Sequence, residues 1–210
     1  MKPIKFAVIL LVGAACKASA DTTFTSESAF VAALSPGSYF QNFSSLTPFA
    51  GPLTSLSFSG GAPVFSYTAT APAGGLFINQ DAGGLNALGN YAAANAVLLS
   101  FTSGNVYAVG AEYYLTDING NPQNGNTSLT YNDGTTGSVP SSASVSVSPY
   151  AFFGVISSSP ITSLNVIDNA TGHFVNIADL YVGAAPVPEP AAIALLATGL
   201  AGLALLRRRG

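Results

Sequence analysis

The chain has 210 residues, no Trp, one Cys and one His, and only 7% of its residues are charged. All six basic residues (Lys2, Lys5, Lys17, Arg207, Arg208 and Arg209) lie in the two terminal segments, and between Asp21 and Pro186 there are eight acids and no Lys or Arg. A body so anionic cannot neutralise phosphates, which excludes nucleic acid as a partner, and without Arg it cannot clamp carboxylates or sulfates directly.

Residues 1–20 read as a signal peptide. Lys2 and Lys5 form a positive start, Phe6 to Ala15 an apolar stretch, and Ala18-Ser19-Ala20 a small-residue cleavage site before Asp21. A lipoprotein signal using Cys16 is the alternative, but Gly13-Ala14-Ala15 before it lack the Leu-like residue of such a site. Cleavage after Ala20 removes the only cysteine, leaving a mature protein without disulfide, thiol nucleophile or thiolate ligand.

Residues 21–182 are long enough for one domain with a real core. Ser, Thr, Gly, Ala and Asn dominate, with many Phe and Tyr and few helix-favouring long side chains. One early helix is expected. Ser26 caps it, Phe30, Val31 and Leu34 form its buried stripe, and Ser35-Pro36-Gly37 ends it.

Beyond that helix the period becomes two. Strands are expected at 39–43, 56–58, 64–67, 96–101, 106–115, 129–131, 144–148, 152–156, 161–167 and 174–182. In the fifth of these, Tyr107, Val109, Ala111, Tyr113 and Leu115 share one face. Gly60-Gly61 and Asn132-Asp133-Gly134 read as turns, and residues 117–127 as a loop. About ten short strands between Gly, Pro and Asn clusters predict a mainly β fold, an antiparallel β-sandwich of jelly-roll type.

Residues 183–187 read as a stalk. They lead to Pro188, Glu189 and Pro190, then to an apolar run at 191–206, then to a basic stop at Arg207, Arg208 and Arg209. At about 1.5 Å per residue the run makes a helix of roughly 24 Å, short of a ~30 Å hydrocarbon core and marginal as a transmembrane helix. The three Arg favour the cytoplasmic side, so the Pro-Glu-Pro segment, held extended by its prolines, lies at the outer face. An ordinary C-terminal anchor on a proline-rich stalk fits these residues too.

Val187-Pro188-Glu189-Pro190, the Ala/Leu run with its glycines and the closing Arg-Arg-Arg-Gly resemble a PEP-CTERM sorting signal. This is the C-terminal tag of exported bacterial proteins handled by exosortase, a membrane protease-transpeptidase. The resemblance implies transient anchoring in the inner membrane, processing by exosortase, and sorting to the cell surface or the exopolysaccharide matrix, usually in biofilm or floc formers. It implies no activity for the rest of the chain. A eukaryotic lipid-anchor signal is the competing reading, but its hydrophobic tail normally has no basic stop. More loosely, Phe152 to Ile156, Pro160 to Val166 and Ile177 to Val182 resemble the last strands of many PEP-CTERM ectodomains.

The chemistry is confined to a short inventory. A single His173 cannot build a histidine-rich metal site, and no Gly-x-Ser-x-Gly elbow accompanies it, so it is read as a loop residue. Asp117-Ile118-Asn119-Gly120-Asn121 resembles the opening of a calcium loop, but Ser128 stands where an EF-hand needs its closing Glu. Asp117, Asn119, Asp168 and Asp179 are therefore only weak calcium candidates, and no cofactor is expected. The acids read as scattered surface charge, with no pair closer in sequence than Glu112 and Asp117, and no catalytic residue is assigned.

The expected function is that of an exported, non-catalytic cell-surface or exopolysaccharide-matrix protein. The alternative is a glycan-binding jelly-roll module, and more remotely a polysaccharide hydrolase. Exposed Tyr and Phe gathered on one concave face favour glycan binding, whereas aromatics confined to the core favour a purely structural role.

Overall fold

A computed structural model describes residues 21–80, 84–143, 150–168 and 170–184. The expected leader, the strand at 144–148, the stalk beyond residue 184 and the apolar run at 191–206 lie outside the described residues.

The body is mainly β. One seven-residue helix, α1 (Glu27–Ala33), follows β1 (Thr22–Phe24). The strands β2 (Tyr39–Gln41), β3 (Ser55–Gly60), β4 (Phe65–Thr70), β5 (Leu76–Gln80), β6 (Asn86–Asn90) and β7 (Val97–Phe101) come next. They are followed by β8 (Ala108–Thr116), β9 (Gly125–Tyr131), β10 (Thr136–Ser141), β11 (Ala151–Ile156), β12 (Ser163–Ile167) and β13 (Phe174–Gly183).

Two antiparallel sheets result. One runs β1-β11-β8-β13-β6-β5, with β2 also on β13, and the other runs β10-β9-β12-β7-β4-β3. Strand β6 pairs β13, β7 pairs β12, β8 pairs β11 and β9 pairs β10, and successive pairs alternate between the sheets. That nested wrapping of eight strands is a jelly roll. Strands β1 and β5 extend the first sheet, and the β3–β4 hairpin extends the second.

Alternation along each strand sets the core. From β8, Val109, Ala111, Tyr113 and Leu115 point inward, as their spacing predicts; they meet Leu99 of β7, Leu129 and Tyr131 of β9, and Leu164 and Val166 of β12 in one buried cluster. Tyr107, expected on the same face, precedes the strand and is only part-buried, while Val106 joins the core. The Tyr131-to-Thr135 turn is also the expected one. Gly134 donates to the Tyr131 carbonyl at 3.1 Å with φ +89°, a conformation that favours glycine.

The helix begins where expected: the Ser26 hydroxyl accepts from the Ala29 N–H at 3.4 Å. Its buried stripe is narrower than expected. Phe30 is fully buried, but Val31 is 42% exposed, because a two-turn helix lying on a sheet presents one side only and Val31 is about 100° round from Phe30. Phe30 sits where the sheet has no side chains, over Gly110 of β8 and Gly154 of β11. Added Cβ atoms there would come within 2.8 Å and 2.6 Å of its ring.

Four described strands, β1, β5, β6 and β10, are not among the expected ones. Strands β5 and β6 carry Asn79, Asn86 and Asn90, poor strand formers whose side chains are hydrogen-bonded inside the fold: the Asn86 Nδ2 donates to the carbonyls of Phe43 and Leu46 at 3.2 and 2.9 Å. Strand β10 contains Pro140, which is tolerated because β10 is an edge strand needing no donor there. Strand β9 also begins at Gly125, inside the expected 117–127 loop.

Candidate functional site

The outer face of the first sheet carries both arrangements of chemical interest. On β13, Val175, Ile177 and Leu180 point into the core, leaving Phe174 and Asn176 outside; on β5, Leu76 and Ile78 point in, leaving Phe77 and Asn79 outside.

At one end of this face, β5, the end of β6, the end of β8 and the start of β13 enclose a cleft of about 300 Å³. Its rings are Phe77, Tyr91 and Phe174, and its polar floor is Asn79, Asn176, Thr116 and Asp117. The floor is pre-organised. The Asn79 Nδ2 donates to the Asn176 Oδ1 at 3.2 Å, and the Asn176 Nδ2 donates to the Thr116 Oγ1 at 3.2 Å and the Phe174 carbonyl at 3.1 Å. Asn90 fixes the wall, accepting from the Val175 N–H at 2.8 Å and donating to the carbonyls of Ala92 and Asn95.

Outside the cleft the rings continue. The Phe77 centroid lies 5.9 Å from that of Tyr91 and 6.4 Å from that of Phe49. Phe49 is 64% exposed and Tyr91 48% exposed. Of these residues, sequence reading singled out only Asp117. The available signal was weak: aromatics and amides on strands whose Asn content hid their period.

The weak calcium candidates fall in separate places. Asp117 is a turn residue: its Oδ1 accepts the N–H groups of Asn119 and Asn121 at 2.8 and 2.9 Å, and its Oδ2 accepts the Asn121 Nδ2 at 2.9 Å. Those bonds, led by the Asn121 side chain, hold its carboxyl below the ordinary range. Asn119 contributes its backbone to this turn. Asp168 accepts the Ala170 N–H at 2.9 Å and lies 2.7 Å from the His173 Nδ1, so His173 staples the turn before β13. Asp179 sits at a bulge in β13, with φ +43° and a register shift between Ala178 and Tyr181. Among the described residues no group of three His, Cys, Asp or Glu side chains could hold a metal ion.

The acids are not all scattered surface charge. Strand β8 lies beside β13, and α1 packs over the same face, so Glu112, Asp179 and Glu27 come together although far apart in sequence. Burial, then the charges of Asp179 and Glu27, push the Glu112 carboxyl up to about 7. Burial, then Glu27, raises Asp179 as well. The Tyr181 hydroxyl donates to the Glu27 Oε1 at 2.5 Å, and burial, then this bond, pushes the pKa of that hydroxyl well above the ordinary tyrosine value. With no Lys or Arg between Asp21 and Pro186, this negative cluster has no cationic partner in the body.

No curated protein matches the chain. Among solved structures it is similar to one described as the crystal structure of the Agl-KA catalytic domain, at 13% identity and a TM-score of 0.33, over 69% of this chain and 30% of that one. The chain thus spans under a third of that protein, and at this level the likeness says nothing of fold or activity. Among the described residues no helix is long and apolar enough to cross a membrane. The tail, with Pro188, Glu189, Pro190 and Arg207 to Arg209, lies outside them. Residues 186–209 match the family model of the PEP-CTERM protein-sorting motif, and the chain therefore carries the sorting signal of an exported protein that transits the membrane and is processed by an exosortase.

Proposed function

We propose that the chain is a non-catalytic cell-surface or exopolysaccharide-matrix protein whose jelly-roll body is delivered by its PEP-CTERM tail. The observation that carries this reading is the sorting motif at residues 186–209. The body supports it: an anionic, cation-free domain without cysteine after leader removal suits an extracellular matrix and has no means of holding nucleic acid.

Glycoside hydrolysis is the weaker reading. It needs two carboxyl groups flanking one bond, one of them protonated. Among the described residues the cleft is lined by a single carboxylate, Asp117, held ionised by its own turn. The raised carboxyl, Glu112, lies four residues back along β8 from Thr116 of the cleft floor, under α1.

The test compares the full chain with one lacking residues 188–210, each in an exosortase-bearing host, followed by fractionation of cells, matrix and medium. The full chain is expected in the surface and matrix fractions and the shortened chain in the medium. Equal surface retention of the two would overturn the proposal.

A further inference from the structure

We propose that the ring file Phe49–Phe77–Tyr91, with the amide-floored cleft beside it, is a binding platform for a neutral polysaccharide strand. The inference deepens the matrix reading, resting on it only for where the strand is met.

The rings are placed where core packing does not explain them. Phe49 holds φ +59°, a rare backbone conformation for a bulky side chain, with its N–H bonded to the Ile78 carbonyl at 2.7 Å. The outcome of that strain is a ring 64% exposed, next in file to Phe77 and Tyr91. Strain kept to hold an apolar group in water points to a task at the surface.

The chemistry of the cleft selects among ligands. A sugar ring offers an apolar C–H face and a rim of hydroxyls that both donate and accept. The platform offers rings for the first and the Asn79, Asn176 and Thr116 groups for the second. After their mutual bonds, the Asn79 and Asn176 carbonyls each keep a second lone pair, and the Asn79 amide keeps a second N–H. Asp117, held ionised by its own turn, accepts only. Eight acids and no cation in the body make an acidic polymer the wrong partner, which leaves the neutral one.

The test uses the exported protein purified from cells, run in affinity gels containing dextran, soluble starch, galactomannan or hydroxyethyl cellulose, with alginate as the acidic comparison. At least one neutral polymer is expected to retard the protein and alginate is not. Retardation should fall about tenfold in affinity in Phe49→Ala/Tyr91→Ala, both exposed positions, and be largely kept in Tyr91→Phe. Circular dichroism and Tm confirm that the double variant folds, and its surface fraction reports sorting separately, so loss of binding with normal sorting leaves the matrix reading standing. No retardation by any neutral polymer, or equal retardation of the folded double variant, overturns the platform. So does a dimer in light scattering that the double variant abolishes, because the rings would then serve a second copy of the chain.

Discussion

The Tyr181 hydroxyl donates to the Glu27 carboxylate at 2.5 Å, joining the last strand to the first helix across 154 residues of sequence. The bond lies in a cluster with Glu112 and Asp179 that has no cation to offset it, so protonation has to supply part of the balance.

Stability is therefore expected to fall as pH rises through neutrality. Glu112 has a folded-state pKa of about 7, above its ordinary 4.5. The fold thus favours its neutral form, and the resulting stabilisation is complete below about pH 4.5 and lost as pH passes 7. Asp179, also raised, adds in the same direction. Asp21 works the opposite way: the Ser158 N–H and hydroxyls around it lower its pKa, so its contribution is present above about pH 4 and lost below. With Glu112 half-buried, the fall is on the order of 1–2 kcal/mol, or roughly 3–6 °C in Tm between pH 5 and 8. Glu112→Gln should raise Tm at pH 8 and leave it nearly unchanged at pH 5. An equal change at both pH values would refute the cluster.

The seat of α1 is a second test. A Cβ at Gly154 would lie 2.6 Å from the Phe30 Cδ2 and 3.1 Å from the Phe152 Cε1. Gly154→Ala is expected to cost about 1–3 kcal/mol through overpacking, and Phe30→Ala about 3–5 kcal/mol through a cavity. In the double variant the new methyl enters the vacated space, so urea melts should give clearly less than the sum of the two costs. Strict additivity would show that the ring does not rest on Gly154.

Much of this architecture was legible in the residues. The inward run Val109, Ala111, Tyr113, Leu115 was legible because apolar residues recur at every second position there. The turn at Asn132 to Gly134 and the Ser26 cap were legible because each rests on local chemistry. Strands β5 and β6 were not, since Asn79, Asn86 and Asn90 owe their places to partners such as Phe43, Val175 and Asn176, far off in sequence. The same non-locality hid both the ring file and the Glu27–Glu112–Asp179 cluster, which exist only once β8, β13 and the helix are laid side by side.

Calcium is expected to leave the described body's stability unchanged. The Asp117 oxygens are already bonded by its own turn, Asp168 is bonded to Ala170 and lies against His173, and Asp179 stands at a bulge with Glu27 and Glu112. Differential scanning calorimetry in ~5 mM EDTA and in ~5 mM calcium should give Tm values within about 1 °C, whereas a real site with calcium at 100 times its Kd would add roughly 2.7 kcal/mol, a shift of several degrees. A rise of several degrees with calcium would contradict this.

No hydrolysis of neutral or acidic polysaccharides is expected from the exported protein, because the cleft residues described include one carboxylate and glycoside cleavage uses two. Reducing-end assays over a day of incubation check this. Oligosaccharide release that vanishes in Asp117→Asn or Glu112→Gln would assign an enzyme.

Delivery by the tail is tested most directly by intact-mass spectrometry of the protein recovered from the surface of producing cells. The sorting signal at residues 186–209 predicts a product that ends at or near Pro188-Glu189-Pro190, without residues 191–210, and the expected leader cleavage after Ala20 predicts that it begins at Asp21. A surface protein whose mass still includes Arg207, Arg208 and Arg209 would contradict it and leave a plain membrane anchor.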